Sequence, residues 1–214
     1  MIYEIDLLNN EQVLDITTAY NKSKSSFVSG SLSNISSKKN NLMLRGPRNE
    51  FLNQIYGIHI IDNEFFHSIL VTKKISELYF LKYGKGMKYD YHIDNNPIAG
   101  VNAHYSMTCF LSNPEEYMGG ELVLKIGNQE LSYKLQSGKA IIYNAGISHK
   151  VNPVISGERK VFVCWIESAV KDSFIRNTLI DFGMITQAMA NDKSNYTEDL
   201  EQIRINIMRE YGDL

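Results

Sequence analysis

A mainly β core between helical flanks, an α+β chain whose centre is a β-sandwich or a jelly roll, is what this sequence predicts. Three observations predict it. From Glu77 to Ser168, short runs rich in β-branched and aromatic residues are separated by turn residues. The separators are rich in glycine, among them Gly84, Gly86, Gly119-Gly120, Gly138, Gly146 and Gly157. Before and after this stretch, apolar residues recur at helical spacing instead.

The elements follow in order. Residues 1–75 are expected to form supporting helices and loops, 76–168 the core, and 169–214 two further helices, all in one structural unit. Glu11 to Tyr20 reads as a short helix behind Asn10 as its cap. Lys22 to Asn41, rich in Ser, Asn and Lys, is expected to loop over the surface. A second helix is expected after Asp62, with Phe65, Phe66, Ile69 and Leu70 on one side. Core strands are expected at LYFLKY, MKYDYHID, YSMTCFLS, ELVLKI, QELSYKL, KAIIY, HKVNPV and KVFVCWI. Asp172 to about Met189 carries Phe174, Ile175, Leu179 and Phe182 at helical spacing. Tyr196 to Tyr211 repeats the pattern with Leu200, Ile203, Ile207 and Met208, behind Asn195 as a capping residue. Both apolar faces are expected to pack on the sheet or on a partner subunit, so a homodimer is open.

Composition narrows function by exclusion. The chain has 214 residues, enough for one domain with a real core. A hydrophobic content of 43% argues against disorder, and a formal charge of -2 against a broad nucleic-acid footprint. Cys109 and Cys164 lie in apolar strand-like runs and are expected to be buried, reduced thiols. There is no CxxC and no Cys/His zinc spacing. The opening residues MIYEIDLLNNEQ carry acids early and no long apolar stretch, so neither a signal peptide nor a membrane span is expected, and cytoplasm is the expected location.

The chemistry-bearing residues begin with His92-Ile93-Asp94. Alternate strand residues share a face, so an imidazole and a carboxylate would point the same way. Two histidines and one carboxylate on one face of an octahedron suit non-haem iron(II) and leave positions for oxygen and a chelating cosubstrate. By itself the pair arises readily by chance, and a surface His-Asp pair is the bland alternative. His149, after a Gly146-containing turn, supplies a third ligand if distant strands lie side by side. Arg159 lies past the turn Ser156-Gly157-Glu158, and its fork of donors can grip a carboxylate in two places. Arg159, Val161, Val163 and Trp165 share one strand face. An apolar channel ending in a guanidinium fits a linear diacid whose other end chelates iron; a hairpin with an exposed arginine is the alternative. Tyr83 could donate to a carboxylate, with Tyr89, Tyr91 and Tyr143 as competitors, though Tyr91 should face away from His92. His59 and His67 read as structural, and His104 as structural or pocket-lining.

These residues resemble a known family. The stretch from Tyr83 to Asn95 (YGKGMKYDYHIDN) is similar to the metal-binding region of the prolyl/lysyl hydroxylase branch of 2-oxoglutarate oxygenases, and most similar to bacterial PKHD-type hydroxylases. Phe110 to Pro114, Tyr117 to Glu121 (YMGGE), Ser148 to Val151, Gly157-Glu158-Arg159 and the Lys-x-Asn element Lys39-Asn40-Asn41 continue the likeness in order. It covers the chain from about Phe27 to Asp172. Phe110 departs from it, standing where many animal prolyl hydroxylases place a tyrosine. The N-terminal region is also shorter and more polar than the family pattern.

The resemblance implies a double-stranded β-helix core. It implies iron(II) on His92, Asp94 and His149, 2-oxoglutarate on Arg159 with Tyr83 as a cosubstrate or pocket residue, and Val163 and Trp165 bordering the site. Dioxygen would be the oxidant, and ascorbate an optional further cofactor. The implied reaction couples decarboxylation of 2-oxoglutarate to hydroxylation of a prolyl residue or a small molecule; Asp94, where Gly or Ala would suit halide, favours hydroxylation. The loops Lys39 to Arg48 and Asn95 to Asn102 are the candidates for substrate contact. No membrane or nucleic-acid partner is expected. Two readings compete: a cupin-like metalloenzyme without 2-oxoglutarate, and a non-enzymatic β-sandwich binding module.

Overall fold

Alternation of side chains along extended strands sorts this chain into two apolar layers. In a computed structural model, residues 2–22, 26–30, 39–191 and 195–213 are described, with backbone alone at 67 and 68. The first elements are β1 (Ile2–Asp6), α1 (Asn10–Lys22), β2 (Phe27–Ser29), β3 (Leu42–Leu44), α2 (Pro47–Ile61), a π-helical turn (Phe65–Ile69) and β4 (Thr72–Ile75). Next come β5 (Tyr79–Tyr83), β6 (Tyr89–His92), β7 (Tyr105–Phe110), β8 (Tyr117–Gly119), β9 (Leu122–Ile126) and β10 (Gln129–Tyr133). The chain closes with β11 (Lys139–Asn144), β12 (Ser148–Val151), β13 (Val154–Gly157), β14 (Arg159–Ser168), α3 (Ser173–Asn191) and α4 (Thr197–Tyr211).

The larger sheet has eight strands in the order β1-β11-β7-β14-β5-β3-β2, with β4 also on β14. A four-stranded sheet runs β10-β9-β12-β6, and β13 pairs with β8. Every pairing of named strands is antiparallel. This is the mainly β, jelly-roll core with flanking helices that the sequence predicts. On β14, Phe162, Cys164 and Ile166 join the core under α1 and α2, while Val161 and Val163 join the core between the sheets. On β7, Met107 and Cys109 face the helices and Phe110 faces the other sheet. With both faces covered, β7 is buried throughout. Cys109 and Cys164 are free, buried thiols, as expected, and burial pushes both pKa values up.

Several elements differ from the sequence reading. Residues expected as helices and loops supply four strands, β1 to β4, to the larger sheet. They are short: β1 alternates over a few residues only, with Tyr3 and Ile5 toward the core and Glu4 and Asp6 outward, and β2, β3 and β4 are too brief to show a period. The second helix lies before Asp62, not after it: α2 starts at Pro47 behind Gly46, and only the π-helical turn follows. Its apolar residues run around much of the helix, with Leu52, Tyr56 and Ile60 buried and Phe51, Ile55, Ile58 and Ile61 exposed, so no single stripe announces it.

The caps differ as well. Asn9, not Asn10, caps α1: the Gln12 amide donates to Asn9 Oδ1 and the Asn9 amide to Gln12 Oε1, both at 2.9 Å. The residue preceding α4 is Tyr196 and makes no side-chain capping bond, so Asn195 is not the cap. Phe174 and Ile203 are exposed, while Leu179 packs with Val71, Ala169 and Val170. Much of the expected Lys22 to Asn41 loop lies outside the described residues. No described helix is long and apolar enough to cross a membrane.

Candidate active site

β6 and β12 place His92 and His149 as direct partners across an antiparallel pair. Side chains opposite one another stand on the same sheet face, so the two imidazoles meet between the sheets. Asp94 follows His92 at alternate spacing and shares that side. The three offer ligand atoms that all lie within 4.8 Å of one another. His92 Nε2 is 3.8 Å from Asp94 Oδ1 and His149 Nε2 is 3.9 Å from Asp94 Oδ2, with all three side chains buried.

The backbone sets the tautomers. His92 Nδ1 donates to the Asp90 carbonyl and His149 Nδ1 to the Ile147 carbonyl, each at 2.9 Å. Each Nε2 therefore presents a lone pair toward Asp94, the state a metal requires. Burial, and then the neighbouring His149, push the His92 pKa down to about 4, against the Asp90 carbonyl and Asp94, which raise it. The ring is neutral and available as a donor at pH 7. Ser106 Oγ donates to Asp94 Oδ2 at 2.5 Å and fixes the carboxylate. Tyr89 stacks on His92, with centroids 3.6 Å apart and planes at 16°, and Tyr143 sets its ring edge-on to His149 at 5.2 Å.

Arg159 opens β14, opposite Tyr83 of β5. It is 1% exposed, which excludes the exposed-hairpin alternative. Its guanidinium lies 5.0 Å from the Tyr83 ring and 5.5 Å from the Phe110 ring. Among the described residues no carboxylate pairs with Arg159, and its Nε is buried without a hydrogen-bond partner. A buried cation without an acid is costly unless an anion joins it. Gly120 makes room for it: with φ +70, its position holds no Cβ, and one would meet Arg159 Cδ at 3.2 Å. Tyr83 is buried beside it, and burial raises its pKa to about 12 while Arg159 draws it down, so the phenol keeps its proton.

One cavity of about 300 Å³ connects these groups. Its lining includes His92, Asp94, His149, Arg159, Tyr83, Val163 and Trp165, all seven residues the sequence singled out. Tyr79, Tyr89 and Tyr143 line it too, whereas Tyr91 turns outward beneath Lys150. Ser106 lines it as well, with no signal in the sequence that points to it. Lys39, Met43 and Arg45 from one expected contact loop, and Asn95, Ile98 and Ala99 from the other, form part of the wall. His104 accepts a bond from the Ser168 amide and does not line the cavity, and His59 lies on α2 beside Gln12. The His67 side chain lies outside the described residues.

A jelly roll with two imidazoles and a carboxylate converging beside a buried, acid-free arginine defines the class of mononuclear metal-dependent oxygenases that take a diacid cosubstrate. A profile described as the 2OG-Fe(II) oxygenase superfamily matches residues 78–167. The chain is 31% identical to a PKHD-type hydroxylase of Idiomarina loihiensis over 82% of each chain. It is 30% identical to one of Crocosphaera subtropica over 100% of both. The chain belongs to the PKHD-type hydroxylases of the 2OG-Fe(II) oxygenase superfamily. In fold it is similar to a Pseudomonas putida prolyl-4-hydroxylase (TM-score 0.58, 13% identity, 78% of this chain and 92% of that one). It is similar as well to a Trichoplax adhaerens prolyl hydroxylase solved with a hypoxia inducible factor peptide fragment (TM-score 0.62, 16% identity, 83% and 86% covered).

Proposed function

We propose that this protein is a 2-oxoglutarate-dependent hydroxylase in which His92, Asp94 and His149 hold iron(II) and Arg159 grips the far carboxylate of 2-oxoglutarate. The observation that carries the reading is Arg159: a buried guanidinium with no acid partner among the described residues, in the same cavity as the two histidines and the aspartate. The competing cupin-like reading leaves that cation unexplained, and the binding-module reading leaves the buried three-residue cluster unexplained.

When bound, iron and 2-oxoglutarate supply the oxidising chemistry, in which dioxygen is consumed, 2-oxoglutarate becomes succinate and carbon dioxide, and a substrate C–H becomes C–OH. The chain's own residues orient and exclude. The Asp90 and Ile147 carbonyls keep both Nε2 lone pairs aimed inward, and Ser106 keeps the Asp94 carboxylate from turning. Tyr83, still protonated, offers a hydroxyl to the carboxylate that Arg159 holds. Val163, Leu81 and Leu122 make that part of the cavity apolar, which strengthens the charged contact by keeping water out. Trp165 and Tyr79 border the space left for substrate.

For the substrate we propose a prolyl residue or a small molecule; support for the former is that the Pseudomonas and Trichoplax neighbours are prolyl hydroxylases. The test is succinate release from 2-oxoglutarate by the iron(II)-loaded protein, screened over peptides and amino acids. We expect release that His149→Ala abolishes. Release that survives His149→Ala would contradict the assignment.

A further inference from the structure

Among the described residues, the charged ones lining the cavity are Lys39, Arg45, Asp94 and Arg159. With the cofactors of the proposed reaction in place, Asp94 and Arg159 cancel, and so do iron(II) and the 2-oxoglutarate dianion. Lys39 and Arg45 add two further positive charges to the lining. We propose that the substrate carries an anionic group, a carboxylate or a phosphate, held by Lys39 and Arg45 in the outer part of the cavity. This rests on the iron(II) and 2-oxoglutarate reading and extends it to the class of substrate.

The two cations are built into place. Asn40 clamps its segment to the chain entering β6: the Lys88 amide donates to Asn40 Oδ1 at 2.7 Å, and Asn40 Nδ2 donates to the Gly86 carbonyl at 3.3 Å. This puts Lys39 in a bridge with Tyr89, its Nζ 4.7 Å from the centre of that ring, which in turn stacks on His92. An anion held by Lys39 is therefore held next to the reacting centre. Arg45 follows β3 and lies 5.9 Å from the Tyr79 ring, which packs edge-on to Trp165 at 5.3 Å. The outer cavity thus has two cations and two aromatic walls.

Electrostatics and sequence agree. Burial lowers the Lys39 pKa to about 8, with Asp94 opposing, so the ammonium is still mostly charged at pH 7 yet poorly solvated. A poorly solvated cation pulls harder on an anion. From Ile16 to Asn49 the chain holds Lys22, Lys24, Lys38, Lys39, Arg45 and Arg48 but no Asp or Glu, in a protein of net charge -2. Of these, Lys39 and Arg45 line the cavity, and a local excess of positive charge favours anionic substrates on approach.

The test uses Trp165, the single tryptophan and part of the cavity wall, as reporter. Protein loaded with zinc(II) and saturating 2-oxoglutarate is titrated with amino acids, N-acetyl amino acids and proline dipeptides, each as free acid and as carboxamide. Phosphoserine and phosphothreonine form a further arm, so the source of the anionic group is read separately. We expect acids or phosphorylated compounds to shift the Trp165 emission at concentrations about ten- to hundredfold below the matched amides, the size of one or two charge-assisted contacts. Lys39→Met combined with Arg45→Met should erase that preference, and Lys39→Arg with Arg45→Lys should keep most of it. Amides that match acids, a double methionine variant that keeps the preference, or no anionic compound responding while 2-oxoglutarate binds would each overturn the proposal. Failure of the metal-loaded protein to bind 2-oxoglutarate would instead overturn the reading beneath it, and this proposal with it.

Discussion

Ser106 Oγ donates to Asp94 Oδ2 at 2.5 Å, so β7 of the larger sheet fixes a carboxylate that lies just after β6 of the smaller one. The two sheets are tied together at the point where the metal would sit. Ser106→Ala should therefore lower metal affinity about ten- to hundredfold, the usual loss when a group orienting a ligand is removed. Manganese(II) titration of the variant checks this. An unchanged affinity would mean the carboxylate is held by other contacts.

Acid should act on the metal-free protein through His92. Its pKa is about 4 when folded against an ordinary 6.5, so the folded state binds fewer protons in that window. The corresponding stability is fully present above about 6.5 and is lost as pH falls through about 4, amounting to a few kcal/mol. Denaturant unfolding of the metal-free protein should show this slope, and His92→Gln should flatten it. Equal slopes in both proteins would contradict the burial argument.

Arg159 trades stability for ligand binding. Arg159→Met removes a buried cation that no carboxylate among the described residues balances, so without 2-oxoglutarate the variant should be at least as stable as the parent. Thermal melts with and without 2-oxoglutarate separate the effects: the parent should gain stability from the diacid and the variant should not. A variant that melts much lower than the parent in the absence of ligand would show that the guanidinium has another structural partner.

Gly120→Ala tests how Arg159 is aimed. The new Cβ would lie 3.0 Å from Val154 Cγ2 and 3.2 Å from Arg159 Cδ, at a φ of +70 that alanine rarely adopts. We expect a loss of about 1–3 kcal/mol in stability together with weaker 2-oxoglutarate binding, read by denaturant unfolding and by the KM for 2-oxoglutarate. An unaltered KM would show that the arginine does not depend on that turn.

What the sequence revealed, and what it did not, divides by range. His92 and Asp94 are legible because strand alternation is local. Val163 and Trp165 are legible for the same reason, riding the face that Arg159 begins. His149 is legible only as a candidate, since its meeting with His92 depends on β6 and β12 pairing in one particular register. Ser106 and Tyr89 carry no pattern of their own; each acquires a role from a partner on another strand or a stacked ring. The same holds for β2 to β4, whose pairing partners, rather than their own residues, make them strands. Helix α2 is hard to read because its apolar residues spread beyond one stripe, although Gly46-Pro47 marks its start.

The most direct measurement is anaerobic visible absorbance of the protein with iron(II) and 2-oxoglutarate. A weak charge-transfer band is expected, absent in His149→Ala. In Arg159→Ala it should appear only at much higher 2-oxoglutarate, while iron(II) affinity is maintained. A band that forms in Arg159→Ala at the parent's 2-oxoglutarate concentration, or one that persists in His149→Ala, would contradict the proposed site.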